Sequence, residues 1–196
     1  MFTDLEVLAE VAKIQYLYSL KHEIRYAEVR NDKTESVAEH IYGMHICAMY
    51  FMPLEDPLGT WDKSRIFQMI TLHDIDEIET GDMIGYLKTE SMLANEGNAA
   101  RSVMKKAPLG MHPNMEKIIT EYELQESSES RFVKAIDKIE SCIHMHNDEG
   151  KKMLLHNGTT LAQHKSIKDT HTLPFPYIYR FNEVITDSML NQGFFS

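Results

Sequence analysis

Apolar residues recur at intervals of three and four positions along most of this chain, which is the periodicity of amphipathic helices. No segment shows a convincing alternation of apolar and polar residues, the pattern typical of half-buried strands. The pattern therefore predicts an all-α fold, in a single compact helical domain over residues 1–196. The predicted helices run from about Thr3 to Leu20, Val37 to Phe51, Lys63 to Glu79, Thr89 to Lys106, Pro113 to Gln125, Glu129 to Asn147 and Tyr177 to Leu190.

Two of these helices begin with a capping box, in which a hydroxyl and a carboxylate three residues later satisfy the first backbone amides. The pairs are Thr3 with Glu6 and Ser36 with Glu39. The segment from Lys21 to Lys33 is charged and aperiodic, so we predict a loop there.

The central predicted helix carries the stretch Leu72-His73-Asp74-Ile75-Asp76-Glu77. His73 follows apolar residues at helical spacing, so we expect His73 and Asp74 to point toward the interior. Burying an ionised carboxylate beside an imidazole is costly unless a partner compensates it, and a divalent metal ion is one such partner. Glu77 lies one turn after His73, and Asp82 follows the glycine that ends this helix.

Composition narrows the class of protein. A hydrophobic fraction of 43% and a charged fraction of 26% are typical of a soluble globular domain. The formal net charge of -10 argues against nucleic-acid binding, although a nucleotide could still be bound through a metal or an arginine. Cys47 and Cys142 lie in apolar helical contexts, so we predict buried thiols and a cytoplasmic protein. We expect no signal peptide, because Asp4 and Glu6 fall where its positive region should be, and we see no apolar run long enough to span a bilayer.

Two histidines and two aspartates at predicted helical positions form a candidate metal-ligand set: His40, His73, Asp74 and Asp137. Imidazole and carboxylate ligands suit one divalent ion, which could be manganese, iron, cobalt or zinc. Each residue alone has an ordinary alternative. His40 could be a hydrogen-bonded core histidine, and Asp137 could pair with Lys134. The other eight of the ten histidines also provide alternatives.

The order of these residues resembles the HD-domain superfamily of metal-dependent phosphohydrolases. The likeness is closest to the branch of small 5'-deoxynucleotidases, which are nucleoside 5'-monophosphate phosphatases. It covers about residues 5–145, and we predict a helical extension over about 150–196. The motifs that carry it are Thr34 to His40, His73-Asp74, Glu77, Thr80-Gly81-Asp82 and Phe132 to Lys138.

The resemblance implies that His40, His73, Asp74 and Asp137 hold the metal ion and that Glu77 and Asp82 are catalytic. It also implies substrate binding by an arginine followed closely by a tryptophan. Here the pair is Arg25-Tyr26, so the arginine can pair with a phosphate while the tyrosine offers less area for stacking. Arg25 could alternatively be a solvated loop charge.

Binuclear members of the superfamily need further histidines between the His-Asp pair and the last aspartate. This chain has only His112 there, which we predict to lie in a loop, so the resemblance favours a mononuclear hydrolase.

The leading hypothesis is a phosphomonoesterase that releases phosphate from (deoxy)nucleoside 5'-monophosphates by attack of a metal-activated water. One alternative is hydrolysis of another phosphorylated small molecule, such as a nucleoside triphosphate or an alarmone. Another is a non-catalytic HD module that only binds a nucleotide. The resemblance also implies a homodimer.

Overall fold

The computed structural model describes residues 3–27, 34–83 and 88–196. Most residues in these ranges are helical, and the only extended pairing among them is an isolated antiparallel bridge between Ile24 and Ser36. The predicted all-α fold is thereby confirmed. The α-helices are α1 Asp4–Leu17, α2 Val37–Glu55, α3 Lys63–Leu72, α4 Glu77–Thr80, α5 Glu90–Lys106, α6 His112–Leu124, α7 Ser128–Met145, α8 Asp148–His156, α9 Leu161–Thr172 and α10 Pro176–Asn191.

The chain divides into two compact units. The first comprises Met1–Ile41 and Gln68–Leu124, as far as these ranges are described, and the second comprises Tyr42–Phe67 and Gln125–Ser196. The single domain predicted from the sequence stays a prediction.

Both predicted capping boxes are present. Thr3 and Glu6 bond each other's backbone amides at the start of α1. At the start of α2, the Ser36 amide donates to Glu39 Oε2 (2.7 Å), and the Glu39 amide donates to Ser36 Oγ (3.3 Å). Because this box fixes where α2 begins, His40 lies in its first turn and is fully buried.

The prediction of one continuous helix from Lys63 to Glu79 is wrong at residues 73–76. The α3 helix ends at Leu72, residues 73–76 form a turn, and the short α4 helix begins at Glu77. The His73 ring explains the break, because its Nδ1 donates to the Ile70 carbonyl (2.9 Å). A side chain that bonds a nearby carbonyl competes with the helical backbone pattern. The His-Asp pair thus lies in a turn rather than inside a helix.

Other boundaries differ from the predictions. In the predicted loop, Arg25–Ala27 forms a short 3-10 turn, and residues 28–33 lie outside the described part of the chain. The α2 helix continues past Pro53 to Glu55, although Pro53 has no amide to bond the carbonyl four residues earlier. His112 is the first residue of α6 instead of a loop residue, and its Nε2 donates to the Ala107 carbonyl (2.9 Å). The C-terminal extension contains α8 and α9 as well as the predicted last helix.

Each unit has its own set of buried apolar side chains. In the first unit they include Ile70, Ile75, Val103, Met115 and Ile118. In the second unit, Phe132 is fully buried, and its ring centroid lies 4.8 Å from that of Trp61 and 5.8 Å from that of Phe175. Cys47 and Cys142 are buried free thiols, as predicted. In the described ranges, no helix has both the length and the apolar character that a membrane crossing requires.

Replacing Phe132 with Ala should lower the free energy of unfolding by about 3–5 kcal/mol, because the change leaves a cavity among packed rings. Urea unfolding followed by circular dichroism measures this effect. Leu173→Ala is the control, since Leu173 is 63% exposed and should change stability little. A Phe132→Ala variant as stable as wild type would contradict this packing.

Candidate functional site

Three of the predicted metal ligands come together in the first unit. His40, His73 and Asp74 each offer a ligand atom, and these atoms all lie within 4.8 Å of one another. Asp74 Oδ2 lies 2.9 Å from His73 Nε2 and 4.0 Å from His40 Nε2. Both imidazoles are fully buried, whereas the Asp74 side chain is 22% exposed. The three groups therefore form a candidate metal-binding group with one side open to solvent.

The tautomer of His73 is fixed by its surroundings. The Ile70 carbonyl can only accept a hydrogen bond, so the Nδ1 that contacts it must carry the proton. The neutral ring then has its lone pair on Nε2, the atom that faces Asp74. A backbone carbonyl that orients a histidine in this way is typical of metal sites.

The spacing of the donor atoms fits a transition-metal ion. Two ligand atoms about 2.1 Å from an ion and about 90° apart lie about 3.0 Å from each other. The 2.9 Å between His73 Nε2 and Asp74 Oδ2 matches this value. The two atoms do not form a hydrogen bond, and within the described ranges the buried Nε2 has no hydrogen-bond partner. A metal ion would satisfy this atom, so the donors fit the cation that the sequence predicts.

The fourth predicted ligand, Asp137, lies on α7 in the second unit and is 8% exposed. Its Oδ2 accepts a hydrogen bond from Lys138 Nζ (2.8 Å) and lies 3.6 Å from Lys134 Nζ. The ion pair with Lys134 is the alternative that the sequence leaves open for this residue. The role of Asp137 as a ligand stays a prediction.

Arg25 is buried, with 7% of its surface exposed, so it is not a solvated loop charge. Its guanidinium is 3.3 Å from Glu35 Oε2 through Nε and 3.9 Å from Asp74 Oδ2 through Nη1. Its Nη2 also donates to the Tyr26 hydroxyl (3.2 Å). The predicted substrate arginine thus lies directly beside a candidate metal ligand.

The two predicted catalytic carboxylates lie in the same unit. Glu77 is 5% exposed, and its Oε2 has no hydrogen-bond partner in the described part of the chain. Burial raises the pKa of Glu77 well above its ordinary value, and the charges of Asp74 and Asp82 raise it further, while Arg25 lowers it. Burial also raises the pKa of Asp82, against the opposing effects of Arg25 and of the Tyr26 amide, which donates to the Asp82 carboxylate.

Two further charged groups near this site do not appear among the sequence predictions. Burial raises the pKa of Asp76 to about 7, with added repulsion from Asp74 and Glu96. Lys88 forms an ion pair with Glu96 (2.7 Å), and its charge lowers the pKa of Asp76. The position of Asp76 two residues after Asp74 could have suggested a place near the site, whereas nothing in the sequence around Lys88 indicated one.

Comparison with known proteins identifies the family. The HD-domain family profile matches residues 17–176, which is most of the chain. The chain therefore belongs to the HD-domain family, and the resemblance stated from the sequence is confirmed.

Two curated relatives carry a specific activity in their names. The mouse 5'-deoxynucleotidase HDDC2 is 30% identical over 111 residues, which is 56% of this chain and 53% of the relative. The 5'-deoxynucleotidase hdd1 of Schizosaccharomyces pombe is 32% identical over 126 residues, which is 61% of each chain. The chain thus spans about half the length of the curated relatives it matches.

A solved structure shares the fold. It is that of a predicted metal-dependent phosphohydrolase from Magnetospirillum magnetotacticum, with a TM-score of 0.77. The two chains are 22% identical, over 97% of this chain and 98% of the other. At this identity the likeness establishes the helical fold alone.

We expect one divalent ion per chain in protein purified without chelator. Asp74→Ala should abolish the bound metal, because it removes the ligand that faces both imidazoles. His156→Ala, at an exposed histidine, is the control and should retain the ion. Elemental analysis tests this stoichiometry. Two tightly bound transition-metal ions per chain, or none after metal loading, would overturn it.

The raised pKa of Asp76 predicts a pH dependence in the metal-free protein. A carboxyl whose pKa is raised on folding stabilises the fold at low pH and loses that contribution as pH rises through the folded value. The Asp76→Asn variant should therefore gain stability relative to wild type between about pH 4 and pH 7. Urea unfolding at several pH values measures the difference in the free energy of unfolding between the variant and wild type.

Asp187→Asn, at an exposed carboxylate, is the control for this measurement. If the difference in the free energy of unfolding between Asp76→Asn and wild type does not change with pH, the charged form of Asp76 is not disfavoured by burial.

Proposed function

We propose that this protein is a metal-dependent phosphomonoesterase that releases phosphate from (deoxy)nucleoside 5'-monophosphates. The observation that carries the proposal is the closeness of a metal-ligand group to a buried arginine. Arg25 Nη1 lies 3.9 Å from Asp74 Oδ2, the atom that also faces His40 and His73. A phosphate bound here would meet a divalent cation and a guanidinium at once, which are the two groups that most favour phosphoryl oxygens.

The choice of substrate class rests on the relatives. The mouse and fission-yeast proteins are named 5'-deoxynucleotidases, at 30% and 32% identity. A nucleoside 5'-monophosphate is therefore the substrate we favour. Tyr26 next to Arg25 also supplies an aromatic ring near the proposed phosphate site.

The proposed metal ligands are His40, His73, Asp74 and Asp137. A bound divalent ion would lower the pKa of its water, which supplies a nucleophile near neutral pH, and it would also neutralise phosphoryl charge. Arg25 would hold the phosphate through charge-assisted hydrogen bonds. The positive charge of Arg25 also offsets the repulsion that an acidic chain exerts on an anionic substrate.

Glu77 is the proposed base that orients or deprotonates the attacking water. Its carboxylate is buried, and its Oε2 makes no hydrogen bond to the described residues. Burial raises its pKa well above the ordinary carboxyl value, which favours uptake of a proton by this group. Asp82 would hydrogen-bond the substrate or protonate the leaving alkoxide. The two roles could also be reversed, with Asp82 acting on the water and Glu77 on the leaving alkoxide.

Two alternatives remain distinct from this proposal. Another phosphorylated small molecule, such as a nucleoside triphosphate or an alarmone, would use the same ligands and Arg25. A module that only binds a nucleotide would have no need of Glu77, whose burial is costly. A phosphate-release assay over a panel of nucleoside mono-, di- and triphosphates with divalent metals separates the proposed activity from both alternatives. Release from monophosphates supports the proposal, and release from none of them contradicts it.

The homodimer implied by the resemblance stays a proposal, as does the cytoplasmic location. Four large side chains on α2 are at least half exposed, and no charged residue interrupts them. A contact between copies there would avoid repulsion between two acidic chains. These side chains are Tyr42, Ile46, Met49 and Tyr50. The mass of the protein in solution tests the dimer.

Replacing Glu77 with Ala should lower phosphate release by roughly two to four orders of magnitude, the span for losing a positioned acid or base. The metal content should be unchanged, because Glu77 is not among the proposed ligands. Glu79→Ala is the matched control on the same short helix, since the Glu79 carboxylate pairs with Lys106 (2.5 Å) and should not affect turnover.

The other two site variants should fail differently. Asp74→Ala should lose both metal and activity, whereas Arg25→Ala should keep its metal and bind substrate more weakly. Metal content and steady-state rates on one nucleoside monophosphate distinguish these outcomes. Full turnover by Glu77→Ala would show that Glu77 takes no part in the chemistry, and loss of metal would make it a ligand.

A further inference from the structure

The backbone of Tyr26 adopts a left-handed conformation, with φ 62° and ψ 22°. This region is unfavourable for residues with a Cβ, and among the described non-glycine residues only Gln125 shares a positive φ. A bulky residue persists in such a conformation only when its surroundings hold it there, and residues of this kind cluster at functional sites. The conformation of Tyr26 therefore requires a contact that holds it in place.

The Asp82 carboxylate supplies that contact. Its Oδ2 accepts a hydrogen bond from the Tyr26 backbone amide, although the two residues are 56 positions apart. Asp82 directly follows Gly81, whose φ of 68° turns the chain at the end of α4.

The residue before Tyr26 is anchored on its other side. The Arg25 amide donates to the Glu35 carbonyl (3.0 Å), and Ile24 pairs with Ser36 in the isolated bridge. The turn that carries Arg25 and Tyr26 is therefore held by the segment before α2 and by Asp82.

The conformation of Tyr26 has a consequence for Arg25. The arginine Cζ lies 5.0 Å from the centroid of the Tyr26 ring, and its Nη2 donates to the Tyr26 hydroxyl (3.2 Å). A tryptophan, the residue expected here from the resemblance, has no side-chain acceptor for this hydrogen bond. Tyr26 is thus turned onto the arginine, and together with Glu35 and Asp74 it fixes the direction of the guanidinium.

We propose that Asp82 is a positioning residue, which holds the Arg25–Tyr26 turn through the Tyr26 amide so that the Tyr26 hydroxyl orients the Arg25 guanidinium toward a phosphate. The inference rests on the proposed function and assigns Asp82 a role in binding, through its Oδ2, besides any part it takes in proton transfer. Fixing the guanidinium before the phosphate arrives lowers the entropy cost of binding.

Substitutions at Asp82 separate positioning from charge. Asp82→Asn keeps a side-chain oxygen that can accept the Tyr26 amide, whereas Asp82→Ala removes the acceptor. Asp82→Ala should weaken binding of inorganic phosphate by roughly 10-fold to 100-fold, the range for losing a hydrogen bond to a charged group. Asp82→Asn should recover most of that affinity. Tyr26→Phe, which removes only the hydroxyl, should weaken phosphate binding and raise KM with little change in kcat.

The readout is independent of turnover. The full chain is labelled with ¹⁵N at its nine tyrosines, and the Tyr26 amide signal is assigned from its absence in Tyr26→Phe. Zn²⁺, which is diamagnetic, is present throughout, and calorimetry gives the phosphate affinity. Asp82→Ala should move the Tyr26 amide proton upfield, and Asp82→Asn should move it less. Tyr16→Phe is the control, because its hydroxyl bonds Glu79 instead (2.8 Å), and it should bind phosphate like wild type.

Two results would overturn the proposal. One is a Tyr26 amide signal that does not move in Asp82→Ala. The other is an Asp82→Asn variant that loses phosphate affinity as fully as Asp82→Ala, which would mean that the charge matters and the acceptor does not. If wild-type protein hydrolyses no nucleotide while the amide and phosphate results hold, the proposed function fails and the positioning role stands.

Discussion

Crowding of acidic groups is the physical constraint on which the first unit depends. Burial raises the pKa values of Asp76, Glu77 and Asp82, and the charge of Asp74 raises all three further. The charged forms of these three groups are therefore disfavoured, and Arg25 only partly offsets the effect at Glu77 and Asp82. Carboxylates kept in such surroundings are costly for folding, and a divalent cation would turn that cost into binding energy.

The turn at His73 sets the geometry of the candidate metal group. Because the His73 ring takes the Ile70 carbonyl, α3 ends at Leu72, and the same hydrogen bond leaves Nε2 with its lone pair toward Asp74. One local interaction therefore both ends the helix and prepares the ligand. A different local interaction positions His40, because the Ser36 capping box fixes the first turn of α2, where His40 lies.

Features that depend on neighbouring residues could be predicted from the sequence. Both capping boxes, the all-α class and the burial of the two cysteines follow from local patterns, and the structure has all of them. The break in the central helix could not be predicted, because apolar spacing continues through it and a side-chain competitor for one carbonyl leaves no trace in periodicity. The burial of Arg25 was equally hidden, since its partners include Asp74, which is distant in the sequence.

The residues of the candidate site also differ in whether local sequence could predict them. The His-Asp pair and His40 were accessible because their residue types and order are distinctive, while Asp76 and Lys88 gained their importance only from burial and long-range charge. The left-handed Tyr26 is a third example, because the Asp82 contact that holds it joins segments 56 positions apart.

The most direct test of the metal site is the X-ray absorption spectrum at the metal edge of the protein loaded with one equivalent of cobalt or zinc. Two imidazole nitrogens from His40 and His73, together with carboxylate oxygens, should account for the first coordination sphere at about 2.0–2.2 Å. The imidazole scattering should weaken in a His73→Ala variant, because only His40 then still supplies an imidazole. A spectrum with oxygen ligands alone, unchanged by His73→Ala, would contradict a histidine-based metal site in this chain.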